Sequence, residues 1–378
     1  MSAQVFVAKE TLAGELRVAA TPETVKKLVK DGLSVAVQAG AGDGANIADA
    51  LFTEAGATLA ADAKAAWQAA DMVLKVQPPS VEEAALLKPG AILITHVFPH
   101  KNLPAVKALA DRKASTLAMD LVPRISRAQV MDSLSSQANI AGYKAVVLAA
   151  SRLGKYFPLL MTAAGTIQPS KVVIMGAGVA GLQAIATARR LGALVEVSDI
   201  RPAVKEQVES LGAKFIDLPM QESGEGAGGY AKEVSAEFLA KQQAVLKEKI
   251  SQADVVITTA QVPGKAAPRL VTEEMVKAMR PGSIIVDLAA DSGGNCELTE
   301  NNKEVVKHGV LILGHSNLPN TMPTDASLLY ARNVYALIKL VNDKGTLKLN
   351  LEDEIIAGAL LTTDGTVRHA PTAAALKG

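Results

Sequence analysis

The stretch Val172-Val173-Ile174-Met175-Gly176-Ala177-Gly178-Val179-Ala180-Gly181 runs a short apolar strand directly into G-x-G-x-x-G, and the helix-like run Gln183–Leu191 follows. That order is what a dinucleotide needs. Gly176 lets the chain turn off the strand, Gly178 lets the backbone approach a pyrophosphate, and Gly181 lets helix and strand pack closely, while the helix N-terminus offers N–H groups to the anion. A second strand, Leu194–Ser198, delivers Asp199, 18 residues beyond Gly181 and close to the ~20 expected of an acid that binds the adenosine ribose 2′-OH. A carboxylate there repels a 2′-phosphate, which points to NAD(H) over NADP(H). Arg201, two residues on, is the one local feature suited to a 2′-phosphate. The expected nucleotide contacts in this half are Gly176, Ala177, Gly178, Val179 and Gly181, then Asp199, Ile200 and Arg201, then Ala260 and Gln261 after a later strand.

Composition bounds the rest. With 378 residues and ~100–200 residues per typical domain, two domains are the natural number. The chain is 49% hydrophobic but only 3% aromatic, so its cores must be built from Ala, Val, Leu and Ile. Lys and Arg number 39 against 38 acids, a balance that steers the chain toward neither nucleic acid nor an anionic membrane. The single cysteine, Cys296, has no internal disulfide partner and fits a reducing cytoplasm. No signal peptide and no apolar run of ~18 or more residues is present, so any membrane role is expected to come through partners. His100, His308, His315 and His369 stand in no metal-ligand spacing with Cys296 or with carboxylates, and no metal is expected.

Strand-sized apolar runs alternate with helical patterns along the whole length, which argues for parallel sheets with helical crossovers. The N-terminal half gives strands at Val5–Ala8, Ser34–Gln38, Met72–Val76, Ala91–Thr95 and Ser115–Asp120. The C-terminal half gives Lys214–Leu218, Val255–Thr259, Ser283–Leu288 and Val310–Leu313 after the glycine loop. Thr21–Lys30 reads as a helix with Thr21 as cap, Pro22 at the first position and Gly32 past the end. The expectation is an α/β protein of two Rossmann-like doubly wound domains, joined by the long helical patterns Asn139–Gly154 and Thr324–Val341. Residues 1–135 with 325–378 would form the N-terminal domain and 136–324 the nucleotide-binding one. The Gly-rich run Ser223–Gly229 reads as a mobile loop.

The stretch Pro123–Gln137, P-R-I-S-R-A-Q-V-M-D-S-L-S-S-Q, packs arginine, amide, carboxylate and hydroxyl groups between a strand and a helix. Donors and acceptors at that density on a loop suit a nicotinamide ribose and carboxamide. The plainer alternative is a polar loop that caps the following helix through Ser135 or Ser136.

These motifs have a likeness. Pro123–Gln137, A-G-Y-K-A-V from Ala141, the glycine loop and its helix through Ala193, K-E-Q-V-E-S-L-G-A-K-F, A-G-G-Y-A-K-E and V-D-L-A-A-D-S-G-G-N together resemble the NAD(H)-binding portion of proton-translocating nicotinamide nucleotide transhydrogenase. The likeness runs from K-E at Lys9 to D-A-S-L-L-Y-A-R-N near the end. It implies that Arg124, Gln129, Asp132 and Ser135 hold the nicotinamide end of NAD(H) and act in catalysis, with Ser126, Arg127, Val130 and Met131 as further contacts. It also implies that Asp199 holds the adenosine ribose and that Gly229 and Tyr230 lie on a loop closing over the nucleotide. The implied partners are a second copy in a homodimer, an NADP(H)-binding subunit or domain carrying the second substrate, and a proton-conducting membrane subunit. The implied location is cytoplasmic, peripheral on the inner face of the bacterial plasma membrane. Hydride exchange between two nicotinamides moves no proton at either carbon, so the residues' task is positioning. Arg124 paired with Asp132 would fix the loop shape, with an ordinary surface ion pair as the alternative.

A rival lies in the same superfamily. Alanine dehydrogenase resembles this chain over the N-terminal domain and glycine loop, and the residues it uses on pyruvate and alanine have counterparts in Arg17, Lys75, His96 and Asp291. Arg17 and Lys75 suit a carboxylate and His96 suits acid/base work at a carbonyl. The reading preferred is that these positions now serve structure, because Pro123–Gln129 and the Gln221–Glu233 insertion have no counterpart in the amino-acid dehydrogenases. A non-catalytic NAD(H)-sensing module is the third reading.

Overall fold

The computed structural model describes residues 2–218, 236–261 and 264–377. Ser223–Gly229, Gly229 and Tyr230 lie outside the described residues. The chain divides into two units, Met1–Gln137 with Pro319–Gly378, and Ala138–Leu318.

In the first unit an eight-stranded sheet runs edge to edge through Thr366–Val367, Leu360–Thr363, Ser115–Ala118, Ile92–Thr95, Met72–Leu74, Gln4–Val7, Ser34–Gln38 and Thr58–Ala60. Leu360–Thr363 joins antiparallel to its neighbours, and the six strands from Ser115–Ala118 onward are parallel. Met72–Leu74 and Ile92–Thr95 are buried along their whole length, as apolar strands with helices on both faces must be. The chain reverses its winding between Gln4–Val7 and Met72–Leu74, the switch point at which open α/β sheets bind ligands beyond the carboxyl ends of their strands.

The second unit repeats the plan with seven strands: Lys214–Phe215, Leu194–Ser198, Lys171–Met175, Val255–Thr258, Ile284–Asp287, Val310–Leu313 and Glu304–Lys307. Only the edge strand Glu304–Lys307 is antiparallel. Its switch point falls between Lys171–Met175, which feeds the glycine loop, and Val255–Thr258.

Two long helices differ in role. The helix Ser133–Arg152 starts in the first unit and continues into the second. The helix Pro323–Val341, expected as a connector, belongs wholly to the first unit, where Tyr330, Val334, Leu337, Ile338 and Val341 enter its core. Its apolar stripe shows that it is buried but not by which sheet. Pro22 opens the first helix as expected, and the N–H of Thr21 donates to Thr24 Oγ1 at 2.9 Å.

Candidate active site

At the switch point of the second unit the chain leaves Met175 and turns at Gly176, whose φ of +106° excludes an ordinary side chain. A Cβ there would also lie 2.4 Å from Thr259 Oγ1, and one on Gly181 would lie 1.9 Å from the Gly176 carbonyl oxygen. These two glycines are therefore demanded by strand and helix packing. Gly178 differs, because a Cβ on it would meet nothing within 4 Å. It is the N-cap of the helix Val179–Arg190 and no side chain caps that end. Open space in front of uncapped N–H groups is what a pyrophosphate requires, so the residues present fit a dinucleotide.

Asp199 follows the neighbouring strand and is 5% exposed at its side chain. Its carboxylate accepts from the N–H of Ala177 at 2.7 Å and from the N–H of Arg201 at 2.8 Å, which ties the acid to the glycine loop. The Arg201 guanidinium donates to both oxygens at 3.0 and 2.9 Å while remaining 57% exposed. Burial alone would raise the Asp199 carboxyl, but the hydrogen bonds from Arg201 and Ala177 hold it below the usual carboxylate range. Asp199 is thus ionised, and Arg201 is occupied by it. Ile200 between them is 91% exposed and Val179 41%, so both present apolar surface beside the loop. On the other flank, Asn295 Oδ1 accepts from the N–H of Ala260 and its Nδ2 donates to the Ala260 carbonyl at 2.8 Å, while Gln261 Nε2 donates to Leu288 O. Fully buried Asn295 is a support that sequence reasoning missed. It stands in the quoted D-S-G-G-N run, but nothing in that run says it reaches Ala260.

In the first unit, Ser126–Met131 is a short 3-10 turn preceding the helix Ser133–Arg152. Ala128 and Met131 are buried in the core, so the Met131 side chain anchors the turn. Arg127 makes two 2.8 Å hydrogen bonds to Asp353, and Asn333 Nδ2 donates to the Val130 carbonyl at 2.9 Å. Those anchors leave Arg124, Ser126, Gln129 and Val130 exposed. The expected Arg124–Asp132 pair does not form among the described residues. The Asp132 carboxylate instead caps the helix, accepting from the N–H of Ser135 at 2.9 Å and from Ser135 Oγ at 2.6 Å. A carboxylate one position before a helix finds N–H donors already aimed at it, which a distant arginine cannot match.

The first unit's own switch point is filled by buried polar side chains. Lys75, 1% exposed, lies 3.1 Å from Glu83 and 3.5 Å from Glu10. Glu10 Oε1 accepts from the N–H of Val76 at 2.6 Å. Burial pushes the Glu10 carboxyl up, against the pull of the Lys75 charge. Arg17, 5% exposed, donates to both Glu15 oxygens at 2.7 Å and to Gln137 Oε1 at 2.9 Å. His96 lies with Nδ1 3.2 Å from the Val76 carbonyl and Nε2 2.8 Å from Ser133 Oγ, its ring stacked on Phe98 and tilted against Tyr330. Burial, reinforced by the Arg17 charge, lowers His96 to about 3. The structure therefore brings Arg17, Lys75 and His96 to one end of one sheet, while Asp291 belongs to the second unit and is exposed. Glu10, Glu15, Ser133, Gln137 and Tyr330 complete the cluster. The two glutamates stand beside the K-E and L-R motifs, but the rest come from distant segments and carry no local signal. Among the described residues no group of His, Cys, Asp and Glu could hold a metal ion.

Two doubly wound units, one with a G-x-G-x-x-G loop and a buried acid after the next strand, define the class of dinucleotide-binding α/β proteins. The chain belongs to the alanine dehydrogenase/PNT family, matching its N-terminal domain over residues 6–141 and its C-terminal domain over residues 145–370. It is 52% identical to the first segment of NAD(P) transhydrogenase subunit alpha from Rhodospirillum rubrum, over 97% of this chain and 98% of that one. The solved transhydrogenase structure from Sinorhizobium meliloti superposes with a TM-score of 0.85 at 44% identity, covering 97% and 99% of the two chains. Alanine dehydrogenase of Methanococcus maripaludis stands further off, at 30% identity over 98% of this chain and 95% of that one.

Proposed function

We propose that this chain is the NAD(H)-binding alpha subunit of a proton-translocating NAD(P) transhydrogenase, exchanging hydride between NAD(H) and NADP(H) held on a partner domain. The observation that carries the choice over amino-acid oxidation is the nearer likeness, 52% identity over 97% of the chain to a transhydrogenase alpha segment against 30% to an alanine dehydrogenase, and the engagement of His96 agrees with it. With Nδ1 turned to a carbonyl, Nε2 on Ser133 and its pKa lowered to about 3, the ring is neutral and fully engaged at neutral pH. Amination of a ketoacid needs a general acid poised near the working pH. Hydride exchange between nicotinamides needs none. Asp199 and the glycine loop would hold adenosine ribose and pyrophosphate, and Arg124, Gln129, Asp132 and Ser135 the nicotinamide end. Dihydronicotinamide supplies the hydride, which leaves C4 of one ring and bonds to C4 of the other, so that NADH and NADP+ become NAD+ and NADPH. The residues orient that ring and exclude water.

No helix among the described residues is long and apolar enough to cross a membrane, which fits a peripheral subunit on the cytoplasmic face whose proton coupling lies in a membrane partner. A homodimer is supported by the hairpin Leu160–Thr162 and Gly165–Ile167, where Leu159, Met161 and Ile167 are 50%, 79% and 37% exposed, an apolar edge of the kind that marks an interface. The deciding experiment mixes the protein with an NADP(H)-binding partner domain and follows hydride transfer, with pyruvate, ammonium and NADH as the parallel assay. Turnover in the second assay alone would overturn the proposal.

A further inference from the structure

The buried cluster at the first unit's switch point has no task in hydride exchange, yet two of its members reach the helix that follows the nicotinamide loop. His96 Nε2 meets Ser133 Oγ at 2.8 Å, and Arg17 Nη1 donates to Gln137 Oε1 at 2.9 Å. Positions 133 and 137 are one turn apart and share a helix face. Gln137 is pinned again by Nε2 donating to the Ala326 carbonyl at 3.0 Å. The direction of the His96 bond is determined. A carbonyl only accepts, so in the neutral ring Nδ1 carries the proton toward Val76 O, Nε2 is the acceptor, and Ser133 Oγ donates to it at 2.8 Å in preference to the Met119 carbonyl at 3.5 Å. The imidazole is itself immobilised, between Phe98 and Tyr330 and by a carbonyl whose own residue donates its N–H to Glu10.

Ser133 is 0% exposed and adjoins Asp132, the residue that caps the helix. The N–H of Asp132 in turn donates to the Gln129 carbonyl at 3.2 Å. The path from imidazole to the presented side chain therefore runs His96, Ser133, Asp132, Gln129, through hydrogen bonds and one peptide link. We propose that His96 and Ser133 are positioning residues for the nicotinamide-holding turn, setting where Gln129 stands without touching the nucleotide. This inference rests on the reading of residues 124–135 as the nicotinamide site. Arg17 does the same through Gln137 one turn later, so the helix start is held at two points, one directly after the strand Ile92–Thr95 and one in the segment between Gln4–Val7 and the helix Pro22–Lys30.

The test compares the affinity of the purified full chain for NADH with its affinity for 5′-AMP, which lacks the nicotinamide half. Ser133→Ala should lower the NADH to 5′-AMP affinity ratio about fivefold, the equivalent of one neutral hydrogen bond, and Ser133→Thr should restore most of it. His96→Gln should act in the same direction, and the double variant should lose no more than the worse single one, because both changes break one bond. A merely structural role would lower the melting temperature and leave the ratio unchanged, and that result overturns the inference. Gln129→Ala, measured alongside, separates the two levels. If it lowers the ratio and Ser133→Ala does not, only the positioning role falls. If neither does, the nicotinamide assignment falls and the inference with it.

Discussion

Replacing Asp199 by alanine tests how the second unit selects its nucleotide. In the structure this carboxylate has 5% exposure at its side chain, and it receives three groups: the N–H of Ala177, the N–H of Arg201 and the Arg201 guanidinium. In the proposed complex the ribose hydroxyl donates to it as well. Loss of a hydrogen bond to a charged acceptor costs about 1.5–3 kcal/mol, so the Kd for NADH should rise roughly 10- to 150-fold. NADPH should move the other way. Arg201 is 57% exposed, so its pairing with Asp199 is worth at most about 1 kcal/mol and its release costs little. The freed guanidinium then faces the 2′-phosphate with no carboxylate beside it. The stability cost should be moderate, because the part-buried N–H of Ala177 loses a charged acceptor, about 1.5–3 kcal/mol or several degrees in melting temperature, while the N–H of Arg201 is exposed and turns to water. Fluorescence titration with NADH and NADPH, set beside a thermal melt, reads all three effects. A large fall in melting temperature with NADH affinity intact would show that Asp199 only braces the glycine loop. Weaker NADH binding with NADPH still excluded would show that Arg201 is not the latent phosphate site.

Gly142→Ala should destabilise the protein, although alanine normally favours a helix interior by about 1 kcal/mol. A Cβ there would lie 2.1 Å from the Ala180 carbonyl oxygen, and a backbone atom cannot yield as a side chain would, so overpacking of about 1–3 kcal/mol or more prevails. Urea denaturation showing equal or higher stability would refute this. His96 should make stability depend on pH. Its folded pKa, about 3, lies below the 6.5 of the free group, so the unfolded chain takes up the proton first. The stability it supports is complete above pH 6.5 and falls as pH drops toward 3. Between pH 6.5 and 5 wild type should lose about 1.6 kcal/mol more than His96→Gln, because the unfolded imidazole is half protonated at pH 6.5 and the slope reaches its full 1.36 kcal/mol per pH unit only well below that; parallel denaturation curves would exclude the neutral buried state. Met161→Asp, on the exposed hairpin, should shift the proposed dimer toward monomer in light scattering, because a charge on an apolar edge must be desolvated to pair. An unchanged mass would place the interface elsewhere.

The sequence by itself determined what depends on near neighbours in the chain. The glycine spacing after Lys171–Met175 dictates a turn at Gly176 and close packing at Gly181, because no side chain fits either place, and the structure shows both. The central parallel strands were legible because runs such as Met72–Leu74, Ile92–Thr95, Val255–Thr258 and Ile284–Asp287 are buried on both faces. The edge strands Thr58–Ala60 and Glu304–Lys307 were not, since one side is exposed and the apolar signal is diluted. Asp132 was singled out as functional, but its partner was misjudged: a cap forms from residues three apart, whereas Arg124 needed a loop shape that the sequence does not state. Only the tertiary structure decided that Asn295 reaches Ala260, that Tyr330 donates to the Lys75 carbonyl, and that His96 meets Ser133. Each depends on which surfaces meet after the sheet has wound. The partners there are 37 residues apart for His96 and Ser133 and 255 for Tyr330 and Lys75, and periodicity carries no information over such distances.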